Sequence, residues 1–155
     1  VSDARVTGTR VPGRRTVVCA GLLGASAVAM GAFGAHALQG RLDARALGWY
    51  DTAAAYHATH ALALLGCGLL AGTGGGGSIA MRRRLRLAGA LLGIGTLVFA
   101  GSLYLMAFTG WTRLGMITPL GGVALIAGWL AMAAAAWAGD KDNGIGRDER
   151  GHGDG

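Results

Sequence analysis

Three histidines, His36, His57 and His60, fall in stretches that contain no Asp, Glu, Lys or Arg, and so do Tyr56, Ser102, Tyr104 and Thr118. In an apolar medium an ionisable side chain is expensive and is by default a candidate for function. His57 and His60 are three residues apart and Tyr56 and His60 four, so on a helix they share one face. Two chemistries fit. One is a polar pocket opening outward, with His57 or His60 taking up and releasing a proton. The other, plainer one is expected here: neutral His and Tyr tie helices together by hydrogen bonds worth roughly 0.6 kcal/mol each.

Other chemistries lack parts. A metal site needs three or four ligands around one point, and two histidines without a carboxylate in any uncharged stretch supply half of one. No metal is expected. Haem needs an axial ligand facing a partner, and His36 would lie about 9 Å shallower than His57, so no cofactor is expected either. Cys19 and Cys67 have no Cys-x-x-Cys spacing and read as free buried thiols. A base for Cys67 is missing, since His60 lies about 10 Å away along the same helix. Ser102 sits in Ala-Gly-Ser-Leu-Tyr, outside the Gly-x-Ser-x-Gly elbow. No catalytic residue is assigned, and the chain is not expected to be an enzyme.

The elements that must carry these groups follow from the placement of charge. Only 14% of the 155 residues are charged, against about 25% in a soluble domain. Four runs have none: Thr16–Gly40, Thr52–Met81, Leu87–Thr112 and Leu114–Gly139. A soluble helix needs a polar face, whereas a bilayer span needs about 20 mostly apolar residues. The expected fold is therefore an all-α, integral membrane, antiparallel four-helix bundle. Its spans are placed at Thr16–Leu38, Trp49–Leu70, Leu87–Thr109 and Met116–Trp137. Residues 1–15 read as a basic tail, 16–138 as the transmembrane domain and 139–155 as a disordered polar tail.

Basic residues set the orientation. Eleven of the fourteen lie in the N-terminal tail, the second loop and the C-terminal tail, and only Arg41, Arg45 and Arg113 on the other side. Cytoplasmic segments hold the positive charge, so both termini are expected in the cytoplasm of a multi-pass protein of the cell (inner) membrane. The net charge of +6 then orients spans, and nucleic acid is not an expected partner. Trp49, Tyr50 and Trp111 fall at the outer interface and Trp137 at the inner one. His57 and His60 fall about 12 and 16 Å from the outer end of the second span. A rival reading takes the first 37 residues as a signal peptide cut after Ala35-His36-Ala37, but its apolar run exceeds the usual 7–15 residues, so retention is expected. Gln39–Gly48 reads as a candidate short interfacial helix. Gly72–Ala80 is a flexible Gly-rich linker without the Gly-Lys-Ser/Thr ending of a phosphate-binding loop.

Membrane helices approach through small residues. Ala20/Gly24, Ala27/Gly31/Ala35, Gly89/Gly93 and Ala124/Gly128 recur at spacing four, and Gly101 lies near the face of Gly93. Gly24, Gly31, Gly89, Gly93, Gly101 and Gly128 are thus the expected packing glycines, within the bundle or between copies of it. Pro119 suits the first turn of the fourth span.

Four stretches in order carry a family resemblance: Gly31-Ala-Phe-Gly-Ala-His-Ala-Leu38; Ala54-Ala-Tyr-His-Ala-Thr-His-Ala-Leu-Ala-Leu64; Gly101-Ser-Leu-Tyr-Leu105 with Thr109-Gly110; and Ile117-Thr-Pro-Leu-Gly-Gly-Val123 with Gly128-Trp129. They resemble the small membrane proteins grouped as domain of unknown function 423, which include transmembrane protein 256, over about Val17 to Trp137. The resemblance implies a four-helix inner-membrane protein that keeps its first span, and it supplies no activity. His57 departs from that family's pattern, where Gln is more usual, which shifts weight to His36 and His60.

The functional expectation is a non-enzymatic structural or accessory subunit that binds other membrane proteins or lipid. The alternative is a small-solute or proton pathway through His36, His60, Tyr56 and Tyr104, formed by an oligomer. A third, weaker one is an enzyme acting on a lipid or quinone at the outer leaflet.

Overall fold

The computed structural model describes residues 13–73 and 79–148, and side chains up to residue 137. Four helices follow one another: α1 (Arg14–Ala37), α2 (Ala44–Thr73), α3 (Ile79–Thr109) and α4 (Thr118–Asp148). A five-residue 3-10 turn, Thr112–Met116, precedes α4. All four helices are long and apolar enough to cross a membrane. This is the expected all-α membrane architecture.

Local chemistry sets the helix ends. After α1 the chain turns through Gly40 at φ +75°. Asp43 then caps α2, its Oδ1 accepting from the Ala46 N–H at 2.8 Å, which satisfies one of the donors a helix start leaves open. The Gln39–Gly48 segment therefore forms no separate interfacial helix: its second half is the first turn of α2, five residues before the expected Trp49. At the end of α3, Gly110 adopts φ +67° and its N–H returns to the Met106 carbonyl at 2.9 Å, a left-handed cap. Pro119 lies in the first turn of α4, where its missing N–H costs nothing.

At the far end α3 begins at Ile79 rather than Leu87, and α4 runs on to Asp148, past Gly139 where the tail was expected to begin. A helix already nucleated by a packed segment extends without a second nucleation cost. Residues 1–12 of the expected N-terminal tail, 74–78 of the linker and 149–155 of the C-terminal tail lie outside the described residues.

The helices pack in sequence order, α1 on α2, α2 on α3 and α3 on α4, with slight contact between α1 and α3. The core lies along α2 and α3. Ala53, Ala88 and Leu92 are fully buried there, and Leu125 of α4 joins them. In contrast, α1 buries only Ala20, Ala27 and Gly34, a single seam at spacing seven. Its outward face, like that of α4, carries large exposed apolar side chains: Val18, Leu22 and Val28 on one, Leu120, Val123, Ile126 and Leu130 on the other.

The small-residue seams are partly as expected and partly relocated. A Cβ on Gly128 would lie 2.8 Å from Leu92, and one on Gly89 3.4 Å from both Leu64 and Thr16, so both are close-packing positions. Gly93 has only ordinary contact with Leu64. Gly24, Gly31 and Gly101 would meet nothing within 4 Å, so none of them serves helix packing among the described residues. In so glycine-rich a sequence the spacing of four recurs on several faces, and only one face per helix meets a neighbour. Unforeseen close approaches are Gly34 against the Tyr50 ring and Gly121 against the Phe99 backbone. Cys67 is buried, with Sγ 3.6 Å from Met132 Sδ, whereas Cys19 is exposed on α1, contrary to its reading as a buried thiol; both are free.

Candidate functional site

With α2 starting at Ala44, His57 and His60 lie about 20 and 24 Å from its first residue. The helix of 30 residues is about 45 Å long, so both stand near its middle. Both are buried, at 8% and 6% exposure. They do not share one environment. A step of three residues turns a side chain by about 300° around the helix, enough to send His57 toward α1 and α3 and His60 toward α4.

His60 is held at both ring nitrogens. Nδ1 lies 2.7 Å from the Tyr56 carbonyl one turn earlier, which can only accept, so Nδ1 carries the proton. The indole Nε1–H of Trp129 donates to Nε2 at 3.3 Å. Indole nitrogen is a donor only, so the two bonds agree on one neutral tautomer. Tyr56 stacks on Phe99 with centroids 4.4 Å apart and on His60 at 5.5 Å. These rings line a groove of about 460 Å³ between α2, α3 and α4. The Thr59 hydroxyl, also on its wall, donates back to the Ala55 carbonyl at 2.9 Å. The groove is lined by aromatic and aliphatic surface, and its buried polar atoms are already engaged. Tyr56 and Trp129, each 42% exposed, stand at its rim.

His57 is arranged differently. Its Nε2 lies 3.2 Å from Ser26 Oγ on α1. The Ser26 hydroxyl donates to the Leu23 carbonyl at 2.9 Å, so toward the ring its oxygen accepts and Nε2 carries the proton. Nδ1 is then an acceptor, and it is buried without a partner. Tyr104 Oη, on α3, is likewise buried and unpartnered, and the two rings meet edge to face with centroids 6.1 Å apart. Leaving such a group unsatisfied costs about 1–3 kcal/mol.

The remaining candidates separate from these. Ser102 and Thr118 pair with each other at 2.8 Å, joining α3 to the first turn of α4. Each hydroxyl also has a carbonyl of its own helix turn as acceptor, Phe99 O for Ser102 at 2.9 Å and Leu114 O for Thr118 at 3.4 Å. His36 is exposed at the end of α1 and joins neither histidine. The single expected cluster is therefore three: Tyr56 with His60, His57 with Tyr104, and Ser102 with Thr118. Among the described residues no three His, Cys, Asp or Glu converge as metal ligands would.

Tyr50 also departs from expectation. It is 1% exposed and therefore no interfacial belt residue. Its hydroxyl donates to the Met30 carbonyl at 2.5 Å, its ring fills the space left by the missing side chain of Gly34, and it meets Tyr104 edge-on at 5.0 Å. Trp111 and Trp137 are exposed, as belt residues must be. Ser26 and Trp129 were not among the sequence-derived site residues. Ser26 had a legible signal: it lies about 17 Å along α1 from the same turn that His57 lies about 20 Å from.

The Gly-Ser-Leu-Tyr and Thr-Pro-Leu-Gly-Gly stretches thus meet through Ser102 and Thr118, and the Tyr-His-Ala-Thr-His stretch meets Gly-Trp through His60 and Trp129. The model of the family described as "Protein of unknown function (DUF423)" matches residues 30–122, which hold all but the last of these partners. This chain belongs to the DUF423 family. Among the relatives of this DUF423 member is the UPF0382 inner membrane protein YgdD of Escherichia coli (strain K12), 36% identical over 127 residues, 79% of this chain and 89% of that protein. A UPF0382 membrane protein of Staphylococcus epidermidis is 42% identical over 109 residues, 70% of this chain and 84% of its own length. One from Staphylococcus saprophyticus is 41% identical over 106 residues, covering 68% and 82%. No solved structure matches this DUF423 chain.

Proposed function

We propose that this DUF423 protein is a non-enzymatic accessory or structural subunit of the inner membrane, binding other membrane proteins or lipid. One observation carries the reading: the polar side chains at membrane depth make separate helix-to-helix bonds, His60 with Trp129, His57 with Ser26 and Ser102 with Thr118, rather than converging on a reaction centre. What the bundle presents outward is apolar, along α1, along α4 and in the aromatic groove beside His60. Such faces suit lateral contact with membrane proteins or lipid chains, which assemble through close packing and hydrogen bonds rather than hydrophobic force. The excess of basic residues at their end supports a cytoplasmic location for both termini, and the inner-membrane names of relatives such as the E. coli protein agree with that membrane.

Native purification followed by mass spectrometry of everything bound tests the reading. The expected result is a stoichiometric protein or lipid partner; a bundle that purifies bare while turning over a substrate overturns it. A C-terminal reporter active only outside the membrane overturns the orientation.

The second reading is the proton or small-solute pathway. The unpartnered His57 Nδ1 and Tyr104 Oη favour it, whereas a route through His60 must first break the Trp129 bond. Its test is pH-dependent flux in proteoliposomes, expected to be absent under the first reading.

A further inference from the structure

We propose that His57 and Tyr104 bind one buried water molecule between α1, α2 and α3. The two side chains are complementary orphans. The Ser26 bond leaves His57 Nδ1 as an acceptor in want of a hydrogen, and Tyr104 Oη carries a hydrogen in want of an acceptor. Both atoms are shielded from the surroundings and neither reaches the other, although the rings are in edge-to-face contact.

A buried water needs two to four polar partners. Here it accepts from Tyr104 Oη and donates to His57 Nδ1. The result is a continuous directional chain: Tyr104 to water, water to His57, His57 to Ser26, Ser26 to the Leu23 carbonyl. It runs from α3 through α2 to α1 and fastens the helix that buries least of itself. An apolar guest satisfies neither orphan, and an ion would bring a charge that no described neighbour of the site balances. A single neutral molecule with one donor and one acceptor role is the chemistry the site takes.

The chain makes the sign of one substitution diagnostic. Without the water, Tyr104→Phe removes an unsatisfied buried hydroxyl, and the thermal midpoint of the full-length protein in detergent rises or stays put. With it, Tyr104→Phe removes one of the water's two partners, and the midpoint falls. In a His57→Leu background the same change then loses most of its effect, because groups joined through one network do not add. A midpoint that rises or is unchanged in the first variant, or an equal fall in both backgrounds, overturns the proposal.

Hydroxyl-radical labelling of the unaltered protein by synchrotron radiolysis keeps the test independent of any variant's folding. With a resident water, the buried His57 labels well above the other buried side chains, such as Tyr50. Labelling no faster than Tyr50 refutes the site.

Discussion

His57 and His60 stand less than one helical turn apart on α2, equally buried, and are opposite in kind. His60 has a partner at each nitrogen and borders an open aromatic groove. His57 is closed in beneath α1 and α3, yet keeps one nitrogen unpartnered beside an unpartnered tyrosine. Burial and satisfaction are therefore separate properties. What divides the two residues is the neighbour each one meets: α4 offers an indole donor at the right height, whereas α1 offers a serine that engages only one side of the imidazole.

The contrast can be broken from either side. The largest effect is expected from Gly121→Leu. A Cβ there lies 2.5 Å from the Phe99 backbone nitrogen, which cannot move aside as a side-chain tip can. Forcing α4 off α3 costs about 3 kcal/mol or more, as overpacking of a close contact does. The ¹⁵N resonances of His60 should move as Trp129 withdraws, and those of His57 should not. By comparison, Gly24→Leu, on the open face of α1, should stay within about 0.5 kcal/mol in the monomer by equilibrium unfolding.

Ser26→Ala attacks the other side. It removes the hydroxyl that accepts from His57 Nε2–H and should cost about 1 kcal/mol, read by unfolding in detergent, with the His57 resonances alone perturbed. Trp129→Phe keeps an aromatic ring but removes the donor to His60. It should cost about 0.6 kcal/mol, the average for hydrogen bonds between membrane helices. The same variant should shift the His60 Nε2 resonance while Nδ1 keeps its proton. If that proton moves, the tautomer assigned to His60 is wrong. His36→Ala is expected to change stability by less than about 0.5 kcal/mol and to leave both other histidine spectra unchanged, since the residue is exposed and remote.

Errors in the sequence reading fall where rotation about a helix axis matters. Spacing correctly placed Tyr56 near His60. It could not reveal that His57, only three residues before His60, belongs to another interface. Gly24 and Gly31 satisfy the spacing of a packing seam as well as Ala20, Ala27 and Gly34 do, yet only the second set faces α2. Tyr50 carries the residue type of an interfacial anchor, and the missing side chain at Gly34 draws it into the core instead.

The segregation of charge determined the number and type of the elements, because a charged side chain inside a bilayer costs more than local preference can offset. Arginine placement and the four ordered motifs likewise needed no coordinates to be read. The choice of neighbour for each face was left to the tertiary structure. In a chain whose helices are apolar on every side, hydropathy no longer distinguishes inward from outward, and only the close fit of one backbone against another selects which glycine packs, which histidine finds a donor, and which is left with a nitrogen to fill.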